Sequence, residues 1–239
     1  MRQVVLALLL MVALARRASA DGLSLDPRLT EGDFGNLAEA VADAIAFPNL
    51  GPAAPSGLTG FEVLAAAGGP RVDTGERWWR YAVDSRTYGG VWSGVRLIAR
   101  KGLPWNLDVG AQIGQLAGER FLGGEARWAL LESGVLSPAL ALRASYSRLE
   151  DAPLAVEVKE AQLVLSKAFT LLTPYAAAGY RRVEANAKFG EPTPIQHSVR
   201  SDRTITAAGV RVSLVPFHFV GEVRQGSKLG FFVGVGVGL

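Results

Sequence analysis

Proline recurs in this chain just ahead of alternating segments: Leu103-Pro104-Trp105, Ser137-Pro138-Ala139, Thr173-Pro174-Tyr175 and Val215-Pro216-Phe217, at gaps of 34, 36 and 42 residues. Proline has no N–H to give a sheet ladder, so within β-structure it is confined to edges, bulges or the first residue of a strand. Its recurrence at this interval predicts one end of a series of long hairpins. Pro55, ahead of Gly57-Leu58, is a fifth and weaker member.

The segment after each proline alternates. Trp105, Leu107, Val109, Ala111 and Ile113 share one parity, and Asn106, Asp108, Gly110, Gln112 and Gly114 share the other. Leu140, Leu142, Ala144 and Tyr146 likewise oppose Arg143, Ser145 and Ser147. Period two places successive side chains on opposite faces of a strand, so each segment has one apolar and one polar surface. In 154–167 the apolar parity changes between Val158 and Ala161, which predicts a bulge or a register change. Ten segments qualify: 57–67, 90–101, 105–116, 120–131, 138–149, 154–167, 174–186, 203–214, 217–225 and 228–239. Counting noisier stretches widens the range to eight to twelve. Each is near the ~9–11 residues that cross a bilayer at a tilt. The proline-bearing connections are compact, whereas 68–89 and 187–202 read as long polar loops.

The expected fold is therefore all-β: an antiparallel up-and-down transmembrane β-barrel of about ten strands with a short N-terminal helix. A soluble periplasmic barrel has the same period with its apolar face inward. Three features favour lipid outside: aromatic residues after proline (Trp105, Tyr175, Phe217) as an interfacial girdle, a polar face rich in glycine and both charge signs, and the strand length.

The chain begins with Met1-Arg2, an apolar run from Val4 to Ala15, and Ala18-Ser19-Ala20, the pattern of a secretory leader over 1–20. Three arginines and no acid lie in that stretch, so the remainder carries 22 basic and 22 acidic residues. Near-neutrality gives no support to nucleic-acid binding, which needs a clustered positive surface. Cysteine is absent, which excludes a lipid-modified cysteine after the leader. At the other end, Phe231, Val233, Val235, Val237 and Leu239 alternate with Gly230, Phe232, Gly234, Gly236 and Gly238. This terminal strand resembles the sorting signal of bacterial outer-membrane β-barrels, in which the last residue is most often Phe where this chain has Leu239. The resemblance implies the outer membrane as location, and outer-membrane lipid, lipopolysaccharide and the barrel insertion machinery as partners.

Asn36–Phe47 is the one helix-period stretch: Leu37, Val41 and Ile45 form a stripe, Asn36 and Glu39 read as a capping arrangement, and Pro48 ends the run. Glu39 and Asp43 make its other face acidic. Residues 21–56 are thus expected as a periplasmic or plug segment ahead of a barrel over 57–239. In one placement the helix enters the barrel mouth and its carboxylates meet lumen arginines; in the other it rests at the periplasmic rim. A plug followed by Gly57-Leu58-Thr59-Gly60-Phe61 is loosely similar to outer-membrane long-chain fatty-acid transporters, although this chain is much shorter and lacks their Asn-Pro-Ala-Gly-type motif.

The residues expected to line the lumen are Arg96, Asp108, Gln112, Glu125, Arg127, Arg143, His218, Glu222 and Arg224, with His218 near Glu222. Paired across a narrow ring they neutralise one another and block flow; spaced apart they line a selective path. Trp78, Trp79 and Arg80 are expected as surface-loop contacts, either with lipopolysaccharide phosphates or as an interfacial belt. No metal-ligand spacing and no phosphate-cradling loop is present, so no cofactor is expected. His197-Ser198, beside Glu191, are adjacent and project apart, so they do not make a nucleophile pair, and an enzyme is not expected. Three functions remain in order: a narrow channel or transporter for a small or apolar solute, a non-conducting structural or adhesion barrel acting through its outer loops, and a barrel-embedded hydrolase.

Overall fold

The computed structural model describes residues 22–84, 90–134, 137–151, 153–190 and 194–238. The expected leader, Leu239 and Glu191 lie outside the described residues. Ten long strands follow one another: β1 (Phe61–Val72), β2 (Gly94–Leu103), β3 (Leu107–Leu116), β4 (Glu119–Leu131), β5 (Ala139–Asp151), β6 (Leu154–Ser166), β7 (Leu172–Phe189), β8 (Ile195–Leu214), β9 (Phe217–Gln225) and β10 (Leu229–Gly238). Each pairs antiparallel with its sequence neighbours, and β10 returns to β1 from Gly230 opposite Pro70 to Gly238 opposite Glu62. The sheet is a closed barrel with no free long edge, which is the only way strands can cross lipid with every backbone group paired.

The apolar parity points outward. Leu97, Ile113, Leu122, Leu142, Leu163, Phe219 and Val233 are all exposed around the wall, and Trp128 is 52% exposed. A belt of this extent on a soluble monomer would be an unpartnered patch far larger than such proteins carry. Against lipid it is the expected surface. The partners of these residues in the alternation, among them Arg96, Gln112, Glu125 and Arg143, are buried inside.

The connections at 104–106, 132–134 with 137–138, 167–171 and 215–216 lie together at one end, the turn end; Pro174 does not stand in its connection but third in β7, opposite Val210. Among the described residues, the opposite, loop end carries 73–84, 90–93, 117–118, 153, 190, 194 and 226–228. Both expected long loops are largely ordered structure. Residues 68–72 complete β1, and a short helix at Arg77–Ala82 and a two-residue ladder between Gly22–Leu23 and Val83–Asp84 cap the loop end. Residues 187–189 and 195–202 are the ends of β7 and β8, paired continuously from Leu172–Val212 to Phe189–Ile195.

The reason is an inversion of polarity along one wall. In β6 the even-numbered residues face inward from Leu154 to Ser166 with no slip of register against β5 or β7, so there is no bulge. Near the turn end that inward face is Glu160 and Gln162 and the outward face is Leu163 and Leu165. Near the loop end the inward face is Val156 and Val158, and the outward face is Glu157 and Lys159. Lys159 pairs with Glu184, and Arg182 with Asp202, on the outside of the neighbouring strands. The wall of β5–β8 therefore rises out of the apolar layer into water, and its interior changes from polar to apolar at the same height.

That apolar interior holds the helix. The first helix, α1, runs from Glu31 to Ile45, earlier than expected. Its N-cap is Thr30, not Asn36: Thr30 Oγ1 accepts from Asp33 N and Asp33 Oδ2 accepts from Thr30 N, each at 3.2 Å. Phe34, Leu37, Val41 and Ile45 are wholly buried with Leu149, Leu154, Val156 and Val183 of the wall. α1 contacts β1, β3, β5, β6, β7 and β8, so it lies inside the ring and not on its rim. It occupies the loop-end half, whereas the sequence suggested the turn-end, periplasmic opening. From Ala46 the chain descends through the lumen and leaves at the turn end to start β1. Two consequences are directly measurable. Ser24 is exposed at the loop end and Val215 at the turn end, and the chain has no other thiol to interfere. In vesicles with one-way insertion, Ser24→Cys and Val215→Cys are expected to react with an impermeant maleimide from opposite sides of the membrane; labelling of both from one side would contradict this threading.

Candidate functional site

Residues 46–56 read Ala-Phe-Pro-Asn-Leu-Gly-Pro-Ala-Ala-Pro-Ser. Three prolines keep this strap out of helix and remove three donors, while its carbonyls need donors in a place with neither ladder nor bulk water. The barrel wall supplies them. Arg96 Nη1 donates to Ala46 O at 2.8 Å and Nη2 to Ala44 O, so its guanidinium closes the C-terminal end of α1. Gln112 Nε2 donates to Ile45 O at 3.0 Å, and Arg143 Nη2 to Phe47 O at 2.8 Å. Arg100 reaches Asn49 O at 2.7 Å and Leu50 O at 3.2 Å. Arg127 reaches Pro52 O at 2.5 Å and the Asn49 side chain at 2.8 Å. The strap's own amides are taken by acceptors on the wall: Leu50 N by Glu222 Oε2 at 2.9 Å, Ala53 N by Ser166 Oγ at 2.9 Å and Ser56 N by Asp108 Oδ1 at 3.1 Å.

These wall groups are also paired among themselves. Glu125 sits between two guanidinium groups, 2.5 Å from Arg100 Nε and 2.6 Å from Arg143 Nε. Arg224 pairs with Glu160 and donates to Phe47 O at 3.3 Å. Tyr175 Oη donates to Glu222 at 2.9 Å, and His218 Nε2 lies 2.6 Å from Glu62 Oε1. Nearer the loop end, Arg181 is wholly buried and holds two of the four acids of α1, Glu39 at 2.8 Å and Asp43 directly. Asp43 also accepts from Ser227 Oγ and Lys228 N in the turn between β9 and β10. Gly226 belongs here for a steric reason: a Cβ would collide with the Asp43 carboxylate.

All nine residues expected in the lumen are inward and buried, and Glu39 and Asp43 meet a lumen arginine. Other expectations need correction. Trp78 and Trp79 are not surface contacts: they are 1% and 5% exposed, packed edge-on to each other and against Trp92 over the end of α1, and only Arg80 of that trio is exposed. Two bulky rings in a loop-end cap bury area that a water-facing surface would waste. Tyr175 is not a girdle residue either but an inward hydrogen-bond donor, and His218 partners Glu62 instead of Glu222. His197 lies in β8, stacked on Phe34 at 5.6 Å with Nε2 3.1 Å from Leu29 O, while Ser198 is on the outer face. Arg100, Arg181, Glu62 and Glu160 were not anticipated. Arg100 shares the parity of Arg96 four residues earlier, which was signal enough to find it; Glu160 and Arg181 lie where the polarity inverts.

No family model and no curated protein matches the chain. Its structure is similar to those of three smaller barrels. The N-terminal β-barrel domain of Pseudomonas aeruginosa OprF is 12% identical over 77% of this chain and 99% of that one, at a TM-score of 0.39. Ail, the attachment invasion locus protein of Yersinia pestis, is 13% identical over 75% and 98% at 0.37. The KdgM porin is 8% identical over 74% and 98% at 0.38. The chain has an outer-membrane-type β-barrel fold. That statement rests on its closed ladder and outward apolar belt, and not on these distant likenesses.

Removing one member of a buried charge network strands the others, which costs about 3–5 kcal/mol. Glu125→Ala leaves Arg100 and Arg143 without their nearest carboxylate, so it is expected to lower stability by about that amount in denaturant unfolding of the refolded barrel. Glu150→Ala, which breaks an exposed pair with Arg148, is expected to change it by less than about 1 kcal/mol.

Proposed function

We propose that the protein is a barrel of the bacterial outer membrane that is sealed in its resting form and acts at the loop-end surface, as a structural or adhesive element. The observation that carries this reading is the bonding of the strap: main-chain groups from Ala44 to Ser56 are gripped by wall side chains along the whole descent. A solute path through a ring of ten strands has to use the volume that this segment fills. Passage of a small or apolar solute, the leading expectation from sequence, requires the strap to be withdrawn first.

The same geometry supports the accompanying partners. The outward apolar belt suits outer-membrane lipid, and the charged collar of Arg148, Lys159, Arg182 and their acids suits the lipopolysaccharide head-group layer above it. The strand Leu229–Gly238, with Phe231, Val233 and Val237 outward, suits recognition by the insertion machinery. We assign no catalytic role, and neither His197 nor His218 faces a hydroxyl nucleophile in its own contacts.

Planar-bilayer recording tests the reading. Full-length refolded protein is expected to give no resolved conductance steps, whereas the barrel without residues 22–56 is expected to give them. A steady open current from the full-length folded protein would overturn it.

A further inference from the structure

Among the described residues, six arginines are buried inside the barrel, against five buried carboxylates on the wall. The sixth buried carboxylate, Asp43, belongs to the helix threaded through the ring. Two half-buried charges that pair with buried lumen groups follow the same rule: Arg211, beside Glu62, is on the wall, and Glu39, beside Arg181, is on the helix. The wall by itself is therefore positive, and the plug brings the balancing charge with it.

The arginines' remaining partners tell the same story. Arg96 makes no ion pair among the described residues; apart from Gln112, its acceptors are the carbonyls of Ala44 and Ala46. Its guanidinium lies 5.1 Å from the centroid of Phe121 and 5.2 Å from that of Phe232, within cation–π reach of both rings. Arg127 gives its shortest bonds to Pro52 O and Asn49, with Glu125 no nearer than 3.7 Å. Arg100 and Arg143 both bond Glu125, Arg100 also reaches Glu62 at 3.5 Å and Arg143 Gln162 at 2.9 Å, and each gives further bonds to strap carbonyls. Carbonyl oxygens at 2.5–2.8 Å from these guanidinium groups stand where the oxygens of a small oxyanion would be bound.

We propose that the lumen is an oxyanion site, held shut by its own main chain: with the strap withdrawn, Arg96, Arg100, Arg127 and Arg143 form an anion-selective constriction that takes phosphate or carboxylate groups. This rests on the sealed-barrel reading for its resting state and adds the chemistry of what the opened barrel admits. Withdrawal removes Glu39 and Asp43, the two plug carboxylates that meet Arg181, together with the carbonyl acceptors, so the wall is left with both surplus charge and unmade hydrogen bonds. A fixed ring of this kind attracts counter-ions and repels cations.

The test uses two opened forms. One lacks residues 22–56. The other is the full chain with a protease site inserted at the exposed Leu58, cut after refolding and freed of its plug in urea, so that an unfolded deletion variant does not decide the matter. In a KCl gradient both are expected to show a reversal potential of anion-selective sign, chloride passing several-fold more readily than potassium. Inorganic phosphate in the millimolar range is expected to block the chloride current, and Arg96→Gln in the opened form to weaken both effects. Cation selectivity, or a chloride current indifferent to phosphate, overturns the proposal even if the uncut protein is silent. A folded opened form that carries no current also overturns it. A conducting uncut protein instead strikes at the sealed-barrel reading.

Discussion

A peptide group at membrane depth has no water to turn to, and this requirement organises the whole molecule. It closes the sheet, because an open edge in lipid would leave a row of unpaired donors and acceptors. It acts a second time inside the ring, where a proline-rich segment crosses with no strand beside it. The arginines and carboxylates of the wall take the place of a ladder there, bonding main-chain groups along the descent. A buried ion-pair network is costly to desolvate by itself. Here Arg100 and Arg143 are each shared between a carboxylate and strap carbonyls, so that the same groups that neutralise the lumen also fix the strap.

The second organising feature is the height at which the barrel changes character. On β6 and β7, residues of unchanged parity pass from Glu160 and Arg181 to Val158 and Val183 on the inside, while the outside passes from Leu163 and Tyr180 to Lys159 and Arg182. A strand with one solvent throughout keeps its apolar face on one side. A strand that leaves lipid for water exchanges the two. The exchange provides α1 with an apolar chamber in the loop-end half, and keeps the polar grip for the extended strap below it.

Much of this was legible in the residues. Strands β6, β8 and β9 stop within one residue of their expected C-terminal limits, and β9 matches at both ends, because proline and turn residues mark the boundaries. By contrast, β8 starts eight residues before its expected beginning. The nine inward candidates followed from period two alone, since parity decides face wherever register is unbroken. The same rule misled where polarity inverted. The apparent slip at Val158–Ala161 is continuous strand, and 187–189 and 195–202 of the apparent loop are paired strand ends whose outer residues meet water. The two tryptophans beside Arg80 were misplaced because burial in a cap depends on a helix distant in sequence.

The strand count, the inward parity of the nine lumen candidates and the presence of an acidic helix are written in local periodicity and in where proline interrupts it. The assembled ring alone shows that the helix stands in the loop-end half, that Glu39 and Asp43 share Arg181, and that the lumen is filled by residues 44–56. Those facts depend on which way the N-terminal chain threads a closed ring. Threading is a relation between segments more than a hundred residues apart, such as Asp43 and Arg181, and no local pattern carries it.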